Sequence, residues 1–504
     1  MTEEDILGQI RQVEDDLAVE KITYNQHHIW PVLKDRLFFD ALFKPVKERN
    51  AFPKKVPEVR RSSYISNLMS SLYASVKGLG ELRSGIDKVV KHYYTTSSKY
   101  IFLDGANSIY IDSIDAKKYS RYLSPYVEYV DKLEGATLLN FTEEPEMDNK
   151  FFPSQYLNIK NYKLFYNLGN RVRRKIYRGR DTHYGLEELN NKLKEISFPI
   201  TIDITLIGYL LSEIEMYLNI YRRLFKRIRP EALLIECFYG NPNYLGATLA
   251  AKETGIRVID IQHGVSFDPM YLGWTRAPEN GYALLPDNYW VWSSYDVENV
   301  AASRGNAKNL KPLLGGNLWY KKYLDKKEPQ DDDKFLADLR IHFKKTILVT
   351  LDHSGPLYEC VLDAIRESPA DWLWLIRFHP HDYRDPGYRE KYIVRFKEFS
   401  NVHYEKSTSC NLYNLLNLVD FNVSRYSSVC IEALTFKVPS VIIMCDQKIE
   451  QLDIFEKNKC FYYSSEGSEI VAVLEENRIA VDERNYDFFR MRYEDAQIKL
   501  ALNI

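Results

Sequence analysis

The stretch Leu412 to Met444, LYNLLNLVDFNVSRYSSVCIEALTFKVPSVIIM, constrains the fold more than any other part of the chain. It reads as a helix end, a buried strand (Val419 to Val423), a turn carrying Ser427 and Ser428, a helix (Val429 to Thr435) and a second buried strand (Pro439 to Met444). Two apolar, β-branched runs joined through a short helix form a βαβ unit, and a βαβ unit requires a parallel sheet. The turn sets two hydroxyls and free backbone N–H groups at a helix N-terminus, where an anion is held most cheaply. Glu432 follows close behind.

A chain of 504 residues exceeds one hydrophobic core, so two or more domains are expected. Apolar residues make up 45% of it, enough for fully folded domains. The net charge of −2 gives no global attraction to nucleic acid. Tyrosine is abundant, with 38 residues against seven tryptophans, and amphipathic rings of this kind suit sugar-facing or boundary positions. The six cysteines are scattered without a CxxC pair, as expected of reduced thiols in a cytoplasmic protein. The acidic, helical start MTEEDILGQIRQVEDD is unlike a signal peptide. No apolar run approaches the roughly 18 residues that span a bilayer, so any membrane contact is expected to be peripheral.

Residues 1–95 are expected to form a mainly helical N-terminal extension, with a helix entered at Pro31 and a charged, Pro-containing linker over residues 50–63. Adjacent His27 and His28 lack a carboxylate or thiol at ligand spacing, and no metal site is expected. Residues 96–325 form the first α/β domain. Lys99 to Leu103 is its first strand, closed by Asp104-Gly105; residues 117–133 read as a helix and Gly135 to Asn140 as a strand. Arg171 to Arg180 (RVRRKIYRGR) is the densest basic run, either a solvated face or a contact for anionic lipid headgroups or an anionic glycan.

The clearest unit of this half is strand Ala232 to Glu236, a Gly/Pro/Asn loop, helix Tyr244 to Thr254, strand Ile256 to Ile261, and Gln262-His263-Gly264. Glu236 and His263 therefore stand at the carboxyl ends of neighbouring parallel strands, where open α/β sheets bind ligands. His263 as a packed core residue is the alternative. A charged segment at residues 326–334 is the expected interdomain linker, and Asp331, Asp332 and Asp333 read as solvated within it. The second α/β domain, residues 335–484, opens with strand Thr346 to Leu351 and a small-residue turn containing Ser354 and Gly355, a second candidate anion site. Strand Asp371 to Phe378 ends in His379-Pro380. Residues 485–504 are expected to form one final helix that crosses back to the first domain.

Ser427-Ser428 before a helix with Glu432, Ala433 and Leu434, then a Pro439-led strand, resembles the donor half of nucleotide-sugar-dependent glycosyltransferases of the GT-B type. Gln262-His263-Gly264 after its helix resembles bacterial capsule and surface-polysaccharide transferases, with looser relatives among teichoic-acid glycerophosphotransferases. The His-Pro plus Ser-Ser combination resembles bacterial sialyltransferases and Kdo transferases, which use CMP-activated acid sugars. This resemblance, over roughly residues 230–445, implies an α/β chain of two Rossmann-like domains facing each other across a cleft. It implies a glycosyltransferase of capsule or lipopolysaccharide synthesis, with a nucleotide-sugar donor, most naturally CMP-linked, a glycan or glycolipid acceptor, and no metal cofactor.

In that chemistry His379 donates a proton or hydrogen bond to the departing phosphate, and Ser427 and Ser428 hold its oxygens. Arg377 and Arg425 flank the two motifs and add positive charge. A catalytic base is expected from the first domain, Glu236 first and Asp104 second, though either acid is equally read as a helix cap. The Asp-Gly loop of sialyltransferases is matched only by Asp104-Gly105. Three rivals remain open: a nucleoside-diphosphate donor (UDP- or GDP-sugar, or CDP-polyol), a nonhydrolysing 2-epimerase of the same two-domain layout, and a catalytically silent scaffold of an export complex.

Overall fold

The computed structural model describes residues 3–42, 64–104, 110–114, 117–120, 122–142, 152, 154–163, 166, 185–264, 270–325, 331–351, 358–379, 386–425, 427–443 and 459–503. The basic run Arg171 to Arg180, the linker at 50–63, and Ser354, Gly355 and Pro380 lie outside these residues. The chain divides into two compact units. Unit 1 comprises Met1–His263, Asp268–Val291 and Asn299–Leu313; unit 2 comprises Gly264–Phe267, Trp292–Glu298 and Leu314–Ile504.

Unit 1 is built on a seven-stranded sheet. Its strands are β1 (Tyr100–Asp104), β2 (Ala136–Thr142), β3 (Ser154–Asn158), β4 (Ala232–Glu236), β5 (Arg257–Ile261), β6 (Asn288–Val291) and β7 (Lys311–Leu314), in the spatial order β7-β6-β5-β4-β1-β2-β3. Strands β1 to β6 pair in parallel throughout. Every residue of β1 and of β4 is buried, which is why these strands read as unbroken apolar runs: both faces are covered. The chain starts at β1, builds outward to β3, then returns to the other side of β1 with β4. The order thus reverses between β1 and β4.

Helix Ile204–Ile228 leads into β4. Asp203 caps it, its carboxylate accepting the Thr205 amide at 2.8 Å and the Leu206 amide at 3.1 Å, and Lys226 and Arg227 complement the dipole in its last turn. It packs on helix Pro242–Glu253, where Gly246 permits close approach: a Cβ there would meet the Tyr217 Cβ at 2.6 Å. The first 95 residues belong to unit 1 and contain helices Glu3–Asp16, Trp30–Leu42 and Tyr64–Thr95 with one short antiparallel pair, Thr23–Tyr24 against His27–His28.

Unit 2 holds a fully parallel six-stranded sheet. Its strands are β8 (Lys345–Thr350), β9 (Trp372–Arg377), β10 (Val402–His403), β11 (Phe421–Ser424), β12 (Ser440–Ile443) and β13 (Phe461–Ser464), in the order β10-β9-β8-β11-β12-β13. Here the order reverses between β8 and β11. The protein is therefore α/β with two Rossmann-like parallel sheets, as expected from the paired βαβ patterns.

Three local expectations are corrected. Residues 117–133 are not one helix: Lys117–Ser120 is a strand and the helix runs Ser124–Glu134. The Ser124 hydroxyl takes the Ser120 amide at 3.0 Å and the Ser120 hydroxyl takes the Leu123 amide at 3.2 Å, closing a turn that Pro125 prolongs into a helix start. The C-terminal helix is two, Glu483–Phe489 and Asp495–Leu502. Residues 490–493 leave the helix because their backbone is tied elsewhere in unit 2: the Arg492 amide donates to Trp292 O and the Asn317 amide to Arg492 O, both at 2.8 Å, and the Met491 amide to Thr435 Oγ1 at 3.0 Å. Finally, Asp331–Arg340 is helical, so the charged segment is structured from Asp331 onward.

Candidate active-site residues at two sheet edges

In open parallel sheets, ligands bind beyond the carboxyl ends of the strands where the strand order reverses. In unit 1 that point lies between β1 and β4, whose last residues are Asp104 and Glu236. Each is only 2% exposed, which separates them from ordinary surface acids.

Sequence reasoning missed a third acid. Asp260, on β5, is fully buried and accepts the Tyr271 hydroxyl at 2.7 Å and the Phe238 amide at 3.4 Å. Its signal was a lone carboxylate in the apolar strand IRVIDI. The three acids share one neighbourhood, reported by Tyr244. That phenol is fully buried, its hydroxyl donates to Leu103 O at 3.4 Å, and its pKa is pushed far up by burial and then by Glu236, Asp104, Cys237 and Asp260. Burial and then Asp260 likewise hold the Tyr271 phenol far above its ordinary range.

Cys237, directly after Glu236, has φ of +60°, a conformation uncommon outside glycine. The backbone turns there as soon as the strand ends. Beside it, His263 is half-buried, not a core histidine. Rings surround it: Tyr122 at 6.3 Å, Tyr271 at 6.4 Å and Tyr239 at 6.5 Å between centroids. Tyr271 in turn stacks on Tyr289 at 4.0 Å and 12°.

In unit 2 the reversal lies between β8 and β11. The Ser424 hydroxyl donates to Thr350 O at 3.0 Å, and Asn422 donates to the Ser440 hydroxyl at 3.1 Å, so the strand ends are tied by buried polar groups. The chain then reaches Ser427 and Ser428 at the edge. The Ser427 hydroxyl accepts the Val429 amide at 3.3 Å, and the Ser428 hydroxyl donates to Glu432 Oε1 at 3.1 Å. The following helix, Val429–Leu434, is short, and Glu432 is almost completely buried within it.

Arg377 ends β9, and its Nη1 donates to Cys410 O at 2.6 Å, Ser407 O at 2.8 Å and Thr408 O at 3.2 Å. The guanidinium thus caps the short helix Glu405–Ser409. The Cys410 carbonyl faces Arg377, and Asn411 starts the next helix, Leu412–Leu416, by accepting the Tyr413 amide at 2.9 Å. Arg425 lies over the Tyr358 ring at 5.8 Å. His379 is half-buried two residues past β9.

The sequence-predicted residues thus gather into two groups: Asp104, Glu236 and His263 at the edge of unit 1, and His379, Arg425, Ser427, Ser428 and Glu432 at the edge of unit 2. Among the described residues, no group of three or more His, Cys, Asp or Glu side chains is placed to hold a metal ion, and no helix is long and apolar enough to cross a membrane.

No family model matches the chain, and no curated protein matches it. Similar solved structures include the UDP-GlcNAc 2-epimerase of Neisseria meningitidis bound to UDP-GlcNAc (14% identity, 80% of this chain and 96% of that one, TM-score 0.44). They also include the UDP-GlcNAc 2-epimerase of Methanocaldococcus jannaschii (11%, 80% and 97%, 0.44) and the wall teichoic acid polymerase TagF (13%, 88% and 96%, 0.42).

Proposed function

We propose that the protein is a GT-B-type glycosyltransferase that takes a sugar from a nucleotide donor, with a CMP-linked ulosonic acid as the donor and a bacterial surface glycan or glycolipid as the acceptor. The observation that carries this reading is the pair of switch points. Each parallel sheet reverses its order once, and the chemistry-bearing residues of the sequence stand at those two edges.

In this reading the unit 2 edge holds the nucleotide, with Ser427 on a phosphate oxygen and Glu432 accepting from the sugar-phosphate side, oriented by Ser428. The acceptor oxygen attacks the anomeric carbon, the bond from that carbon to the phosphate oxygen breaks, and the electron pair leaves on the nucleotide. His379 donates a hydrogen bond or proton to the departing phosphate. Glu236 takes the acceptor proton, with Asp104 beside it. The cytoplasmic side is the proposed place of the reaction, and the basic run Arg171 to Arg180 the proposed contact with the inner membrane surface.

A second reading is favoured by one observation: Asp104, Glu236 and Asp260 share a neighbourhood with His263 in a single unit, an acid–base set that would take the C2 proton as the C1–O bond to the nucleotide breaks and return a proton to the other face as that bond re-forms, which is C2 epimerisation.

The test is a calorimetric titration of the whole protein with CMP, CDP, UDP and GDP, followed by glycan transfer assays. Preference for CMP, weakened in Ser427→Ala, with transfer lost in Glu236→Gln and His379→Ala, supports the leading reading. Preference for UDP with deuterium entering C2 of UDP-N-acetylhexosamine in D2O establishes the epimerase. Undiminished transfer in Glu236→Gln and His379→Ala removes the site assignment.

A further inference from the structure

The buried carboxylate of Glu14 lies far in sequence from either candidate edge, yet it holds part of unit 1's edge in place. Glu14 is fully buried on the first helix. Its Oε1 accepts Trp30 Nε1 at 2.8 Å and pairs with Lys34 Nζ at 3.3 Å; Lys34 is itself only 2% exposed. Its Oε2 accepts both the amide of Thr275, at 2.9 Å, and the Thr275 hydroxyl, at 2.6 Å.

The same segment of loop is gripped at three further points. Lys34 Nζ donates to Gly273 O at 3.0 Å and sits 4.2 Å over the Trp274 ring. Arg276 donates to Glu14 O and Asp15 O, each at 3.0 Å. Few surface segments are fixed by a completely buried ion pair; such pairs are costly to desolvate and persist where every partner is satisfied.

What this loop carries is Tyr271, whose hydroxyl donates to Asp260 and whose ring packs beside His263. The N-terminal segment reaches the edge a second time through Phe39, which stacks on Tyr239 at 5.6 Å and 13°, and Tyr239 is another of the rings around His263.

We infer that residues 3–42 are a working wall of unit 1's site, and that Glu14 is a positioning residue. By clamping Thr275 it sets Tyr271 against Asp260, and so holds the end of β5 from which His263 projects. This rests on the reading of that edge as catalytic, while the clamp itself can be measured without any substrate.

The experiment compares Glu14→Ala/Lys34→Met, which removes both charges together so that no buried charge is stranded, with Glu14→Gln/Lys34→Met, whose one carbonyl oxygen keeps the acceptor for the Thr275 amide and hydroxyl and gives up the bond from Trp30. In hydrogen exchange on the full chain, the Ala pair speeds exchange about tenfold or more at residues 270–276 and also at 257–263, leaving β8 unchanged, and the Gln pair restores protection. In turnover, the Ala pair lowers kcat about tenfold or more with the donor KM unmoved, and the Gln pair recovers it.

Exchange that quickens only at residues 270–276, or an Ala pair with wild-type kcat, overturns the inference. If the Ala pair fails to fold, Thr275→Val, which exchanges the hydroxyl for a methyl group and leaves Glu14 only the Thr275 amide, gives the same contrast in smaller measure, and wild-type exchange at 257–263 in that variant overturns it too. Should the protein transfer no sugar at all, the exchange at 257–263 alone decides, so failure of the functional reading and failure of the clamp are told apart.

Discussion

The Tyr271 hydroxyl donates to the buried Asp260 carboxylate at 2.7 Å, while the Tyr271 ring lies flat on Tyr289. The two halves of one side chain thus do different jobs. The ring packs the core of unit 1, and the hydroxyl satisfies a carboxylate that would otherwise be costly to bury.

Tyr271→Phe separates them. It keeps the stack and removes the hydrogen bond, leaving Asp260 with one fewer donor. The expected loss is about 1–3 kcal/mol of unfolding free energy, read from urea midpoints at unchanged m-value. A loss below a few tenths would mean that other donors satisfy Asp260.

Arg377 divides structure from binding. Its Nη1 faces three carbonyls of residues 407–410, so Arg377→Gln is expected to cost about 1–3 kcal/mol in stability while nucleotide affinity stays within about twofold. A much larger fall in affinity at unchanged stability would support the donor-binding role expected of it from sequence.

Gly305 has φ of +70°, and a Cβ there would clash with the Trp274 carbonyl. Trp274 lies in the loop that Glu14 and Lys34 grip. Gly305→Ala is expected to destabilise the protein by more than about 1 kcal/mol, since both the dihedral and the space reject a methyl group. A thermal melt is sufficient to see it.

His403, at the edge strand of unit 2, has its pKa lowered from the ordinary 6.5 by burial. As pH falls, the unfolded chain takes up this proton before the folded protein does. Stability is therefore fully present above about 6.5 and declines on acidification between that value and the lower folded one. The expected result is a melting temperature that falls from pH 7.5 to 5.5, with a shallower fall in His403→Gln. Equal slopes in the two proteins would show that other groups carry the pH dependence.

Much of the architecture is legible in the sequence. The strands ALLIE and KYIFL are marked by composition alone, because central parallel strands are buried on both faces; in the structure the second is shifted by one residue, to Tyr100–Asp104. Asp104 and Glu236 followed as the polar residues that end such runs, and Ser427-Ser428 as a turn ahead of a helix. All of these are local patterns, and local pattern is what a linear chain displays. The break at Arg490 was invisible for the same reason, since nothing in residues 485–500 records that their backbone bonds to Trp292, Asn317 and Thr435.

The amino-acid sequence by itself determined that two parallel sheets form, and which residues close their central strands, because periodicity and burial act over a few neighbouring positions. Only the tertiary structure decided that Asp260 meets Tyr271, that Arg377 turns onto carbonyls, and that Glu14 grips Thr275 across 261 positions. Those contacts depend on which surfaces are brought together once the sheets have formed. A buried carboxylate takes the donor that the fold delivers, and its own neighbours in the chain carry no mark of which one that is.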